Sequence, residues 1–291
     1  MKKRISLLLP TRGRPQLVER FLQSVAAQSA HPELIEVILC VDDDDPASHC
    51  IASSRIALKT IIVPRQTMGA YNAICLENAT GEITIAVNDD IIIRTKGWDE
   101  KIRALDKRYV DGIYLGYPND LFKGEKVCTF PVLSRKTCEV LAEPYPGIYK
   151  GAFIDVHLMD IFRRLERRGY PRMIYVEDIV FEHVHYRTNP ELLDATYRER
   201  ARFGDDATFI ALAPVRRMEA DRLFEYVSRK IAREGSRPLA PVVTQMRFFG
   251  IVSLCYRAFL CDSDLPATWR TYLFGYMVAR HYVNWFSHLL S

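Results

Sequence analysis

Over the first hundred residues, short apolar runs alternate with amphipathic stretches. The runs fall at Ile5 to Leu9, Leu34 to Val41, Thr60 to Val63 and Ile83 to Val87, and their length and composition predict strands. Between the first two, PQLVERFLQSVAAQ repeats Leu17, Val18, Phe21, Leu22 and Val25 at helical spacing behind Pro15, a favoured first helical position. Asp45 followed by Pro46 opens a second helix with Asp45 as its N-cap, and Gly69 to Ala79 carries a third that stops at Gly81. Strands alternating with helices predict an α/β domain with a mostly parallel sheet covered on both faces.

In such sheets ligands bind beyond the carboxyl ends of the strands. Polar residues follow each run there: Thr11 and Arg12, Asp42 and Asp43, Arg65, then Asn88, Asp89 and Asp90. Four strand ends therefore converge on one crevice. In TIAVNDDIII, two carboxylates interrupt a run otherwise fit for a buried strand, and an unpaired carboxylate stripped of water costs several kcal/mol. Asn88 to Asp90 suit a tight turn, and in a crevice the carboxylate pair also suits Mg²⁺ or Mn²⁺, which share such ligands with substrate phosphates. Asp42 and Asp43 are placed to accept a hydrogen bond from a base N–H, or to form a solvated acidic loop.

A second section, residues 112–213, contains GAFIDVHLMDIFRRLERRGY, in which Leu158, Ile161, Phe162 and Leu165 form an apolar helix stripe behind Asp155. Asp155 is read as an N-cap, as a general base facing the crevice, or as both, with Asp160 and Asp178 as the alternative bases. In VFEHVHYR, alternation puts Phe181, His183, His185 and Arg187 on one strand face and Glu182, Val184 and Tyr186 on the other. Neutral imidazole is an acceptable ligand for Mn²⁺, so His183 and His185 are candidate metal ligands as well as structural residues. From Pro214 the chain turns to basic, aromatic helices. In its last helix Tyr272, Tyr276, Ala279, Val283, Phe286 and Leu290 form an apolar stripe, with Arg270, Arg280, His281 and His288 off it.

Composition narrows the classes. With 48% hydrophobic residues in 291, the chain has ample core for one large domain, or a domain with an appendage. The net charge of +4 is unevenly spread: residues 214–291 hold 11 Lys and Arg against 6 Asp and Glu, which leaves the rest near neutral. A nucleic-acid partner is not expected for the body, and an anionic contact, if any, belongs to the tail. Seven cysteines without a CxxC pair read as reduced thiols of a cytoplasmic protein. MKKRISLLLP ends its apolar run at Pro10, short of a signal-peptide core, and Arg257 and Arg280 interrupt the two best candidates for a spanning helix.

The order of these features resembles the inverting, nucleotide-sugar-dependent glycosyltransferases of family 2, with the glycosyltransferase A-type fold. The matching stretches are ISLLLPTRGRPQLVERFLQSVAAQ, LIEVILCVDDDD, MGAYNAICLENATGEITIAVNDD, and FIDVHLMDIFRRLERRGY followed by EHVHY, together covering roughly residues 4–200. The resemblance implies a Rossmann-like mixed sheet flanked by helices: residues 1–111 as the nucleotide-sugar half, 112–213 as the acceptor half of the same domain, and 214–291 as a helical extension. It implies that Pro10 and Thr11 line the nucleotide pocket, with Arg12, Arg65, Asn88 and Asp89 beside them, and that Asp42 or Asp43 receives the base. Asp89 and Asp90 match the Asp-x-Asp metal motif for Mn²⁺ or Mg²⁺. Asp155 falls where the Glu-Asp motif has its base, ahead of Leu158 and Arg163, and His183 or His185 matches a histidine that helps bind metal and diphosphate. Two positions depart from the pattern: Asn88 is an amide where the metal motif has a carboxylate, and Ile154 replaces the Glu of Glu-Asp.

The implied activity moves a sugar from a nucleotide-diphosphate donor, UDP or dTDP favoured, to a hydroxyl of a glycan or lipid-linked acceptor, as in surface polysaccharide synthesis. The tail, residues 214–291, would then pack on its own domain, bring the site to a membrane surface or form a homodimer. Two rivals are a catalytically silent nucleotide- or glycan-binding module and a sugar-nucleotide pyrophosphorylase. The latter is disfavoured because PTRGRP has a single Gly where a glycine-rich phosphate loop is needed.

Overall fold

A computed structural model describes residues 2–185, 187, 191, 202–229 and 248–289. Strands β1 (Ile5–Thr11), β2 (Ile35–Asp42), β3 (Ala57–Val63) and β4 (Ile83–Ala86) are the four apolar runs of the sequence, and they pair in parallel in the order β3-β2-β1-β4. Every residue of β1, β2 and β4 is buried, as expected of strands covered on both faces, while β3 lies half-exposed at the sheet edge. The sheet continues through β7 (Val132–Ser134), β6 (Leu115–Asn119), β8 (Met173–His183) and β5 (Ile91–Ile93). Strand β7 is antiparallel to both β4 and β6, β8 is parallel to β6, and β5 is antiparallel to β8, so the eight-stranded sheet is mixed.

Helices α1 (Pro15–Gln28), α3 (Met68–Asn78), α4 (Trp98–Lys107) and α6 (Ile154–Arg167) cover the sheet, with two short helices, α2 (Pro46–His49) and α5 (Arg135–Val140), between them. The expected stripes are buried: Val18, Phe21, Leu22 and Val25 in α1, and Leu158, Ile161, Phe162 and Leu165 in α6. Asp45 precedes α2 as expected but does not cap it; its carboxylate accepts instead from the Gly13 N–H at 2.6 Å. Asp155 is likewise no N-cap, because Phe153 holds that position with φ 67° and Asp155 sits in the first turn. Glu36, facing the interior of β2, accepts from the Ser6 hydroxyl at 2.5 Å, from Thr80 N at 2.6 Å and from Gly81 N at 3.1 Å. It joins β1, β2 and the turn into β4, and Gly81 lacks a Cβ that would meet Ser6 Oγ at 2.5 Å.

Four helices follow and pack on this body: α7 (Asp206–Ala211), which precedes the expected extension of residues 214–291, then α8 (Ala213–Arg229), α9 (Phe248–Cys255) and α10 (Ala267–Leu289). The face of α10 differs from the expected one. Leu273 and Met277 are buried in a cluster with Phe209 and Phe259, whereas Tyr272, Tyr276, Val283 and Phe286 are 37–47% exposed. An ion pair rotates the helix: the Arg280 guanidinium, placed outside by the hydrophobic pattern, donates to Asp206 at 2.7 Å in a half-buried position. Leu290 and Tyr186, which completed the two predicted patterns, lie outside the described residues.

A buried charge cluster fixes the extension to α6. Asp160, fully buried, accepts from Arg164 at 3.1 Å, Arg216 at 2.7 Å and the Trp269 indole at 3.0 Å, and Arg164 also pairs with Asp262 at 2.8 Å. Asp160 is therefore engaged structurally, and Asp178 is a surface residue paired with Lys101 at 2.5 Å. All seven cysteines are free thiols, and no described helix is long and apolar enough to cross a membrane.

Two stability predictions follow from these contacts. Asp160→Ala leaves Arg164 and Arg216 buried without their shared carboxylate and should destabilise the fold by about 3–5 kcal/mol, read as a lower urea midpoint with an unchanged slope. Glu219, 1% exposed on α8, accepts from Arg222 at 2.7 Å and from Ala142 N at 3.2 Å. Its burial outweighs Arg222 and pushes the carboxyl from 4.5 up to about 7. Because the folded value is raised, this contribution is full below pH 4.5 and is lost as pH rises through about 7. The neutral Glu219→Gln variant should therefore gain about 2 kcal/mol on wild type between pH 5.5 and 8.5 in paired denaturation curves.

Candidate active site

The parallel strands end on one side in a cavity of about 550 Å³, within the range that holds a small-molecule ligand. Pro10, Thr11 and Arg12 reach it from the end of β1, Asp42 from β2, Arg65 from the loop after β3, and Asn88, Asp89 and Asp90 from the turn between β4 and β5. His183 and His185 close it from the end of β8. Strands far apart in sequence bring these ten expected residues together. Asp43 is exposed and does not line the cavity; its backbone N–H instead donates to Val63 O at 2.8 Å. Asp155 does not line it either, although it follows the lining residue Ala152 by three positions; its half-buried carboxylate accepts from Val156 N at 2.8 Å.

In the cavity wall Asp42 is fully buried and accepts from the Arg12 guanidinium and from the Tyr71 hydroxyl. Tyr71 in turn accepts from Gln66 N at 2.8 Å, and burial together with Asp42 pushes its phenol above the usual range. Arg12 also grips Asp44 at 2.9 Å. This ties the β1 loop to the β2 loop with Asp42 between them.

The carboxylates of the NDD turn have different partners. Asp89 accepts from Thr11 Oγ1 at 2.7 Å and from Arg14 at 3.1 Å, one bond to each oxygen. Burial nevertheless raises its carboxyl to about 6, with Arg14 opposing and Asp90 adding to the rise. Asp90 instead faces His183, with Oδ2 and Nε2 3.3 Å apart, and its backbone carbonyl accepts from Val184 N at 2.9 Å. The rings of His183 and His185 stand 5.0 Å apart, and Phe122 stacks on His185 at 5.1 Å and meets His183 edge-on at 5.9 Å. A divalent cation about 2.1 Å from each of two adjacent ligands in an octahedral shell would separate them by about 3 Å, so Asp90 and His183 fit as such a pair. Among the described residues no three His, Cys, Asp or Glu side chains converge on one point, so an ion there needs oxygens from a ligand as well.

Several lining residues escaped the sequence reading. Arg14 stood one turn past the expected strand end, and Tyr71 looked like an ordinary helix residue. Lys150, Gly151, Ala152 and Asp205 come from loops with no local signal. Asp205 accepts from three successive backbone donors, Lys150 N at 2.9 Å, Gly151 N at 2.9 Å and Ala152 N at 2.7 Å, a relation between residues about fifty positions apart that no spacing reveals.

No family model matches the sequence, and no curated protein does. Solved structures do match. The mannosyltransferase PcManGT from Pyrobaculum calidifontis, in complex with GDP-Man and Mn²⁺, is 15% identical with a TM-score of 0.52 over 99% of this chain and 88% of its own. S. aureus TarS 1-349 in complex with UDP-GlcNAc is 13% identical with a TM-score of 0.53, over 96% of this chain and 88% of its own. A second structure of TarS 1-349 is 14% identical with a TM-score of 0.51 over the same shares. At these identities the likeness is one of fold, and with the mixed eight-stranded sheet it establishes that the chain has a glycosyltransferase A-type fold.

Proposed function

We propose that this chain is a metal-dependent, inverting glycosyltransferase that moves a sugar from a nucleoside-diphosphate donor to a hydroxyl of a glycan or lipid-linked acceptor. The observation that carries this reading is the Asp90–His183 pair, held 3.3 Å apart in the same cavity as the buried Asp42. A nucleoside diphosphate offers a base for Asp42 and a diphosphate for a cation at that pair. Structures of similar fold were solved with GDP-Man and with UDP-GlcNAc, which supports a nucleotide-sugar donor and leaves UDP, dTDP and GDP in contention.

In this reading Asp42, backed by Tyr71 and Arg12, faces the base, and Thr11 and Arg14 hold Asp89 so that the turn presents Asp90 to the cavity. Asp90 with His183 or His185 would hold the cation, which when bound neutralises charge gathering on the diphosphate as it leaves. Asp155 takes the proton of the acceptor hydroxyl, which is too weak a nucleophile without such help. It sits in the first turn of α6, at the positive end of that helix. Attack from the side opposite the leaving group inverts the anomeric centre. The outward aromatic face of α10 is the surface on which this reading locates a membrane contact or a second copy of the chain. The runner-up, a silent nucleotide-binding module, is favoured by one observation: Asp155 stands outside the cavity lining.

Two variants separate these readings. Asp90→Ala should abolish the gain in nucleoside-diphosphate affinity that Mn²⁺ gives wild type in titration calorimetry, with the circular dichroism unchanged; a retained gain removes Asp90 from the metal site. Asp155→Asn should bind donor as wild type does while sugar transfer falls about 10²-fold or more. If wild type binds donor and transfers no sugar to any acceptor offered, the silent module is the better account.

A further inference from the structure

Three of the four cations lining the cavity have carboxylates to answer them. Arg12 pairs with Asp42 and Asp44, Arg14 pairs with Asp89 at 3.1 Å, and Arg65 acts on Asp44. The fourth, Lys150, has an exposed side chain whose ammonium makes no ion pair and no hydrogen bond among the described residues. It is the cation left for an anionic ligand.

Its backbone, by contrast, is held from two directions. On one side Asp205, 3% exposed, accepts from the N–H groups of Lys150, Gly151 and Ala152. On the other, the start of α3 is sewn to the same loop: Gly69 N donates to Tyr149 O at 2.9 Å, Met68 N to Lys150 O at 3.4 Å, and the Thr67 hydroxyl to Gly147 O. Gly69 permits this approach, because a Cβ there would stand 2.0 Å from Pro146 O. A withdrawn carboxylate satisfied by three main-chain donors is a costly arrangement to assemble unless the loop it fixes must keep one shape. A flexible ammonium on a fixed main chain suits a phosphate that arrives with its own orientation.

We propose that Lys150 binds the diphosphate of the nucleotide donor and that Asp205 is the positioning residue that aims it. The proposal rests on the glycosyltransferase reading, since the anion a nucleotide sugar brings into this cavity is its diphosphate. Lys150 would supply a charge-assisted hydrogen bond from the wall formed by the 147–152 loop, in addition to the Asp90–His183 pair.

The test compares a nucleoside diphosphate with its nucleoside by calorimetry in Mn²⁺, using whichever of UDP, dTDP, GDP or CDP wild type binds. Lys150→Ala should weaken diphosphate binding about tenfold or more and leave nucleoside binding unchanged, and Lys150→Arg should restore most of the loss. Asp205→Asn, which keeps the side-chain shape and removes the charge, should reproduce that selective loss. Diphosphate affinity unchanged in Lys150→Ala, or diphosphate and nucleoside affinities falling together, overturns the assignment of Lys150 while the glycosyltransferase reading stands. An Asp205→Asn variant that binds diphosphate as wild type does overturns the positioning role. A wild-type protein that binds none of the four diphosphates overturns both this proposal and the reading beneath it.

Discussion

A carboxylate withdrawn from water must be given donors or a cation, and much of this molecule is arranged around that requirement. Asp42, Asp89, Asp160, Asp205 and Glu36 are each at least nine-tenths buried, and each is answered by donors. Two side chains serve Asp42, a hydroxyl and a guanidinium serve Asp89, three main-chain donors serve Asp205, two arginines and an indole serve Asp160, and a turn serves Glu36. These answers tie loops and helices from distant parts of the chain to one another, so the shape of the cavity is set by electrostatic satisfaction as much as by the hydrophobic layers beneath it. Asp90, equally buried, faces a histidine across 3.3 Å at the cavity wall.

The first hundred residues of the fold were legible because their signals are local. A fully buried parallel strand must be a short apolar run, and the first polar residue after it must lie at the sheet's carboxyl edge. Thr11, Asp42, Arg65 and Asn88 could therefore be assigned to one crevice without knowledge of the strand order. His183 and His185 were found by alternation alone, and β8 delivers both of them to the cavity. What the sequence could not supply was the choice between neighbours. Asp42 and Asp43 are equivalent in any pattern, yet the last residue of β2 points inward while the next lies exposed. Asp89 and Asp90 differ in the same way, because one is turned toward Thr11 and Arg14 and the other toward β8.

The last helix illustrates the opposite failure. Hydrophobic periodicity assumes that the apolar stripe is the buried one, and in α10 six aromatic and aliphatic positions made that stripe broad. The observed face is held by polar contacts and a narrow apolar pair. Arg280 reaches Asp206, and Leu273 with Met277 fills the space beside Phe209 and Phe259, which leaves the tyrosines outward. An ion pair at a half-buried position is worth little by itself. Here it needs only to decide between two helix faces of similar apolar content, for which a small difference in free energy is enough.

Asp205 and Asp160 give the C-terminal region a role that its sequence does not suggest. Asp205 immediately precedes α7 and fixes the loop before α6 through three main-chain bonds; Asp160 on α6 draws in Arg216 from α8 and Trp269 from α10. The segment that carries Asp155 is thus held at its start by one of these contacts and along its length by the other. The lining residues nearest Asp155 in the chain, Lys150, Gly151 and Ala152, have their backbone held by Asp205, whereas the lining from Pro10 to Asp90 comes wholly from the first hundred residues. The two parts are joined, because the start of α3 is bonded to the same loop through Gly69 N to Tyr149 O and the Thr67 hydroxyl to Gly147 O, so a change in the C-terminal helices reaches the loops at the strand ends.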